Sequence, residues 1–387
     1  MTVATLESSI ARCRRLVEEG GLEAVREHKA RTGEKAIGYF PVYSPVELYR
    51  AAGFLPVGLN GGGNRVEIAA ADSRFGSFIC SIVKSTMELG MRGDLKALDG
   101  LAFHSICDSA RNLAFVMERN FGQELFVEYL HLPQNIDRPE AVDFLRAEYG
   151  ALLARLAERN GGVDWRERLP ESIALFNLNR ALLRRLYLLR EKRPQDLPTG
   201  ELYVLMRAGN FLPVEEHNRV LEEALAELGR RANKPKDRIR VMLEGSFCEQ
   251  PPLELLELLD DAGCYVVEDD LLLGRRWFTG DVRTDRDPLT ALAEAYLKRP
   301  VASSVKHLPA AERMRALVDK ARRSRAQAVL FLSAKFCEPA LFDYVLFKEA
   351  LEKAQLPHLL VEFEEKMWTF EKTRIELETL VESLLFD

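Results

Sequence analysis

Neither of the glycine-rich signatures that cradle phosphates, GxGxxG and GxxxxGK[ST], occurs anywhere in the 387 residues. The chain therefore brings no P-loop and no dinucleotide fingerprint of its own. CxxC and HxxxH pairs are missing too, which removes the usual spacings of a structural zinc site. Positive charge is not in excess: the net charge is −6 and the pI about 5.8. That balance lacks the electrostatic footprint of a protein that binds nucleic acid or an anionic membrane. No window approaches the roughly 18 apolar residues of a membrane span. The opening MTVATLESSIARCRRLVEEG has no uninterrupted apolar stretch of the kind a signal peptide carries. A cytoplasmic chain with no nucleic-acid and no membrane partner is expected. In that compartment six scattered cysteines read as reduced thiols or metal ligands rather than disulfides.

What is present is a globular composition, 47% hydrophobic and 29% charged. The length exceeds one core and points to two domains with extra helices. Leu6, Ile10, Cys13 and Val17 share one face of an N-terminal helix. Strands are expected over 36–40, 54–59, 101–106 and 125–130, with Ser44-Pro45-Val46-Glu47 read as a capping box between the first two. Gly61-Gly62-Gly63 reads as a flexible connection. From about Arg138 to Arg193 helical spacing runs on, with Leu175, Leu178, Leu182, Leu186 and Leu189 in register, until Pro194 and Pro198 break it. The second half repeats the alternation, with strands over 238–243, 264–268, 328–332 and 359–363. A final helix is expected to be capped at Thr373-Arg374-Ile375-Glu376, with Leu377, Leu380, Val381 and Leu384 as its apolar stripe. Alternating strands and helices predict an α/β fold of two doubly wound, mostly parallel-sheet domains, Rossmann or flavodoxin-like. The expected division is an N-terminal helical segment over 1–34, a first α/β domain over 35–135, a helical connector over 136–200 and a second α/β domain over 201–387.

In open α/β sheets ligands sit outside the carboxyl ends of the strands. Three segments share the order strand, cysteine, acidic residue, helix: Ser105-Ile106-Cys107-Asp108, Phe247-Cys248-Glu249 and Phe336-Cys337-Glu338. Cys80 lies near another helix start. A cysteine at a strand end is more often a small core residue than a ligand. A helix N-terminus nevertheless favours thiolate over thiol, and a thiolate binds metal. His104, three residues before Cys107, allows a Cys/His hydrolase as an alternative, although a histidine on a strand is more often packed. Cys13 and Cys264 read as core. The residues alone stop at a metal or redox site on an α/β scaffold.

A resemblance extends this. Gly38-Tyr39-Phe40-Pro41-Val42-Tyr43-Ser44-Pro45-Val46-Glu47, Ala51-Ala52-Gly53-Phe54-Leu55-Pro56-Val57, Cys80, Cys107-Asp108, Lys335-Phe336-Cys337-Glu338-Pro339 and Thr373-Arg374-Ile375-Glu376 together resemble the 2-hydroxyacyl-CoA dehydratase and benzoyl-CoA reductase family, from about Ala36 to the C-terminus. Within it, Ser105-Ile106-Cys107-Asp108, Arg111-Asn112-Leu113, Leu132-Pro133-Gln134-Asn135, Gly90 and the stretch from Asp269 to Arg275 look most like the smaller cluster-bearing subunit of the reductases. The resemblance implies a [4Fe–4S] cluster on Cys80, Cys107 and Cys337. Leu272 stands where many relatives carry a further cysteine, which argues against a second cubane. Cys248, without that partner, reads as structural.

The resemblance also implies an oxidoreductase subunit, oxygen-sensitive and heteromeric. Its partners would be a sister cluster-bearing subunit, ATP-hydrolysing iron–sulfur activator subunits and a ferredoxin donor. Its substrate would be an aromatic acyl-CoA, reduced by single electrons to a cyclic dienoyl-CoA. Arg275 and Arg276, just past a strand end, are candidates for the CoA phosphates, with a solvated pair as the equal alternative. His104 is the one candidate proton donor. A 2-hydroxyacyl-CoA dehydratase and a non-catalytic electron-transfer subunit are the rival readings.

Overall fold

The computed structural model describes residues 6–19, 21–61, 66–298, 308–364, 367 and 369–386. Gly62 and Gly63 of the glycine triplet lie outside the described residues. Apolar runs set the centre of each sheet. β1 (Lys35–Tyr39), β2 (Phe54–Gly58), β3 (Gly100–His104) and β4 (Phe126–Leu130) form one sheet in the order β2-β1-β3-β4. β5 (Ile239–Gly245), β6 (Cys264–Asp270), β7 (Ala328–Ala334) and β8 (His358–Phe363) form a second, in the order β6-β5-β7-β8. Every pairing is parallel. Strands β6 and β7 are buried along their whole length; β7 accordingly reads as a continuous apolar run rather than an alternating one, while β6 ends in the buried acids Glu268, Asp269 and Asp270. The expected doubly wound architecture is the one found, twice.

Both sheets reverse their winding direction at one place, between β1 and β3 in the first and between β5 and β7 in the second. Such a switch point opens a crevice at the carboxyl ends of the flanking strands. Helices α3 (Val46–Ala51), α4 (Ser81–Met91) and α5 (Asp108–Phe121) belong to the first sheet, and α10 (Leu253–Asp261), α12 (Ala310–Arg323), α13 (Glu338–Lys353) and α14 (Glu371–Phe386) to the second. Between the sheets run α6 (Glu140–Arg159) and α7 (Trp165–Lys192). A short turn at Pro194–Asp196 follows, then α8 (Thr199–Arg207) and α9 (Val214–Leu228), so the two prolines do end the long helix. Of the leucine stripe in α7, Leu182 and Leu186 are buried while Leu178 is exposed.

Two helices cross over between the sheets. α1 (Leu6–Glu18) buries Leu6, Ile10 and Cys13 against α8, α9 and the second sheet's core, and α2 (Leu22–Thr32) leads into β1. In exchange, α11 (Pro288–Lys298) sends Ala291, Leu292 and Tyr296 into the first sheet's core beside α6. None of the helices among the described residues is long and apolar enough to cross a membrane.

Two expected helix caps are not formed. α3 begins at Val46 with Pro45 at the cap position and no side-chain cap. Glu47 turns inward instead, 2.8 Å from the Arg180 guanidinium, and Ser44 Oγ pairs with the Tyr49 hydroxyl. A cap is worth about 1 kcal/mol, whereas leaving buried Arg180 without its carboxylate costs about 3–5 kcal/mol, so the ion pair wins. Thr373 lies inside α14, which starts at Glu371; the Leu377 and Val381 stripe is buried as expected.

Candidate metal centre

Each candidate cysteine occupies the cap position of a helix. Cys80 precedes α4, Cys107 follows β3 and precedes α5, and Cys337 follows β7 and precedes α13. β3 and β7 hold corresponding places in the two sheets, so Cys107 and Cys337 are equivalent by topology. Phe336 carries Cys337 round its turn in left-handed backbone, φ 64°, a conformation that costs a bulky residue of order 1–3 kcal/mol and clusters at functional sites.

Cys80, Cys107 and Cys337 pack into a single apolar cluster with Phe247, Cys248, Leu272 and Leu273. They also act on one another electrostatically. Burial pushes the Cys80 thiol up, and the charges of Glu249, Cys107 and Cys337 add to it, against one bond from the Val83 amide. Burial likewise raises Cys107, opposed by the amides of Ala110, Ser109 and Cys107 itself. Cys337 is raised by burial and opposed by the Phe247 and Ala340 amides and the Ser246 hydroxyl. The chain alone therefore keeps these groups as thiols, yet it aims N–H donors at their sulfurs. Donors so placed stabilise thiolate, and a bound cation would remove the proton. Soft sulfur donors, half-buried beside apolar side chains, suit iron or another thiophilic metal. Among the described residues no three His, Cys, Asp or Glu side chains lie as close together as the ligands of a single ion.

Cys248, structural by its sequence context, is carried by the fold to the same place. It follows β5, on the other side of the switch point from Cys337. Burial and the charges of Cys107, Cys337 and Cys80 all raise its thiol. The signal is in the sequence, since its segment has the same strand–cysteine–acid order as the other two. Glu249 beside it is buried, accepts from Ser81 Oγ at 2.5 Å and from the Ile82 amide at 3.4 Å, and has its carboxyl pushed by burial up to about 7. Cys13 and Cys264 are core residues, raised by burial to about 11 and about 12.

Arg275 and Arg276 have internal partners rather than an open phosphate site. Arg275 forks onto Glu268, with Nε 2.9 Å from Oε1, and lies over Tyr187 and Phe278. Arg276 is buried, 3.1 Å from Asp270 and 3.2 Å from Glu244, over the Phe247 ring. Both forks are spent holding the turn after β6, which carries Leu272 and Leu273 into the apolar cluster the cysteines pack against. His104 is buried in β3, with Nε2 on the Val42 carbonyl and its imidazolium pushed by burial down to about 3. At neutral pH it has no charged form to give up a proton, which favours the packing role.

Residues 41–384 match the family described as 2-hydroxyglutaryl-CoA dehydratase, D-component. The chain is 35% identical over 377 residues, 97% of both chains, to a benzoyl-CoA reductase subunit of Thauera aromatica. It is 29% identical to the (R)-phenyllactyl-CoA dehydratase beta subunit of Clostridium sporogenes, over 95% of this chain and 96% of that one. The beta subunit of lactoyl-CoA dehydratase from Anaerotignum propionicum is also 29% identical, over 94% and 95%.

Proposed function

The chain belongs to the 2-hydroxyglutaryl-CoA dehydratase D-component family, and on that premise we propose that it is the iron–sulfur subunit of an ATP-dependent reductase of aromatic acyl-CoA thioesters. The observation that carries the reading is the meeting of Cys80, Cys107 and Cys337 at helix N-termini against one apolar cluster. The 35% identity to a benzoyl-CoA reductase subunit along nearly the whole chain supports the substrate class.

In this reading the three thiolates hold a [4Fe–4S] cluster, which when bound supplies single electrons at the low end of a range of roughly −700 to +450 mV. Three protein thiolates would leave one of the four irons without a cysteine ligand. The chain's own residues do the rest. The half-buried thiols lie against apolar side chains, and the amides of Phe247 and Ala340 favour the thiolate form of Cys337. The Arg275 and Arg276 ion pairs keep Leu272 and Leu273 packed there. Reduction to the cyclic dienoyl-CoA puts two electrons and two protons into the ring. The electrons come from a ferredoxin through ATP-hydrolysing iron–sulfur partner subunits. Those partners bring the nucleotide site, and a sister cluster-bearing subunit completes the enzyme.

The dehydratase beta subunits at 29% identity favour a second reading, a lyase that recycles its electron and eliminates water from a 2-hydroxyacyl-CoA. Anaerobic iron and sulfide analysis tests the ligand set that both readings share. Alanine at Cys80, Cys107 or Cys337 is expected to abolish the cluster, and a Cys107→Ala protein with full iron overturns the assignment.

A further inference from the structure

The first turns of the three cysteine-bearing helices are not served alike. α5 and α13 each open with an acidic residue of their own, Asp108 and Glu338, which complements the positive end of the helix. None of the three cap cysteines forms a side-chain cap bond, and α4 alone has no acidic residue in its first turn. The missing acceptor comes from the other sheet. Glu249, in the segment after β5, is 4% exposed. Its Oε1 accepts from the Ser81 hydroxyl and its Oε2 from the Ile82 amide. One carboxylate of the second domain thus satisfies both a side chain and an otherwise orphan amide at the start of a first-domain helix.

We propose that Glu249 is a positioning residue for Cys80, a cap supplied across the domain boundary that fixes the first turn of α4 and so holds the Cys80 thiol towards Cys107 and Cys337. Cys80 needs such a device more than its counterparts do. Cys107 and Cys337 are aimed by the strands they closely follow, β3 and β7, whereas among the described residues the nearest strand before Cys80 is β2, which ends at Gly58. The cap stands whether or not metal binds; its consequence for the cluster rests on the function proposed above.

The test uses the full chain, metal-free, as wild type, Glu249→Gln, Glu249→Ala and Ser81→Ala. Amide hydrogen exchange is followed by mass spectrometry, together with the rate of thiol alkylation at each cysteine. Loss of the cap in Glu249→Ala is expected to speed exchange over residues 81–84 and alkylation of Cys80 by roughly five- to tenfold, the range of a helix cap. The starts of α5 and α13, and the rates at Cys107 and Cys337, are expected to stay within about twofold of wild type, since they keep their own first-turn acids. Glu249→Gln keeps one acceptor and is expected to recover most of the protection, and Ser81→Ala to lose part of it. Unchanged rates at α4, or an equal rise at all three helices, overturns the proposal, because the residue would then only pack the domains together. Failure here leaves the ligand assignment intact. Full iron in Cys80→Ala defeats that assignment and leaves the cap intact.

Discussion

Replacing Asp269 by Asn removes one charge from a fully buried ion pair. Asp269 and Arg190 are both 0% exposed, with the guanidinium 3.1 Å from Oδ2. The same oxygen accepts from the Tyr187 and Tyr203 hydroxyls, each at 2.6 Å. Oδ1 accepts from the Leu271 and Arg275 amides, at 3.2 and 2.8 Å. Burial opposes ionisation, yet Arg190, the Arg275 amide and the two tyrosines hold the carboxyl below its ordinary range. Asparagine keeps the shape and loses the charge, which leaves Arg190 without its carboxylate and with no route to water. Breaking a buried pair from one side costs about 3–5 kcal/mol. At about 2–4 °C per kcal/mol for a domain of this size, the melting temperature should fall by roughly 6–20 °C. Arg190→Met should be similarly harmful, because it leaves a buried carboxylate. The double variant holds no uncompensated charge, so it should lose at least about 2 kcal/mol less than the sum of the singles. Thermal unfolding followed by circular dichroism measures all four proteins. Additive losses, or an Asp269→Asn penalty under about 1 kcal/mol, would refute the reasoning.

Glu244 gives a pH test. Burial and the Asp270 charge, against Arg276 and Lys320, push its carboxyl from an ordinary 4.5 to about 8. A raised acid contributes stability that is complete below the ordinary value and lost as pH climbs through the raised one, a difference of order 5 kcal/mol at full ionisation. Wild type should therefore weaken between about pH 5 and pH 9 relative to Glu244→Gln; parallel pH profiles in urea denaturation would contradict this. Cys13→Ala and Cys264→Ala should keep full iron after anaerobic reconstitution, at a packing cost of order 1 kcal/mol. Cys248→Ala should keep it too, and iron loss there would make Cys248 a fourth ligand. Equilibrium dialysis of the isolated chain with labelled ATP should show no binding, since it has neither a phosphate loop nor a positive net charge; stoichiometric binding would mean that the nucleotide site is here.

The eight strands among the described residues are legible because each has a short apolar stretch bounded by turn residues, most plainly at 328–334, where a strand covered on both faces needs no knowledge of its neighbours. The positions of Cys107 and Cys337 are legible for the same reason, as each closely follows such a run. The partners of charged groups are not. Arg276 is matched by Glu244 from another strand, and Glu47 leaves its expected cap for Arg180, 133 residues away. Neither pairing has a local signature. Cys248 lies between the two cases. Its pattern is visible, but its convergence with Cys337 depends on β5 and β7 being neighbours, and strand order is not written in local periodicity. Glu249 is hidden for the same reason, because the helix it caps belongs to the other sheet.

The most direct measurement is made on the assembled enzyme under strict anaerobiosis, with benzoyl-CoA and a 2-hydroxyacyl-CoA offered side by side and ATP hydrolysis counted per product. A reductase cannot recycle its electrons, since they leave in the diene, so ATP should be consumed for every electron pair delivered to benzoyl-CoA. Dehydration of the hydroxyacyl-CoA with ATP use far below one per turnover, and no diene from benzoyl-CoA, would contradict the proposed function and move the protein to the lyase branch.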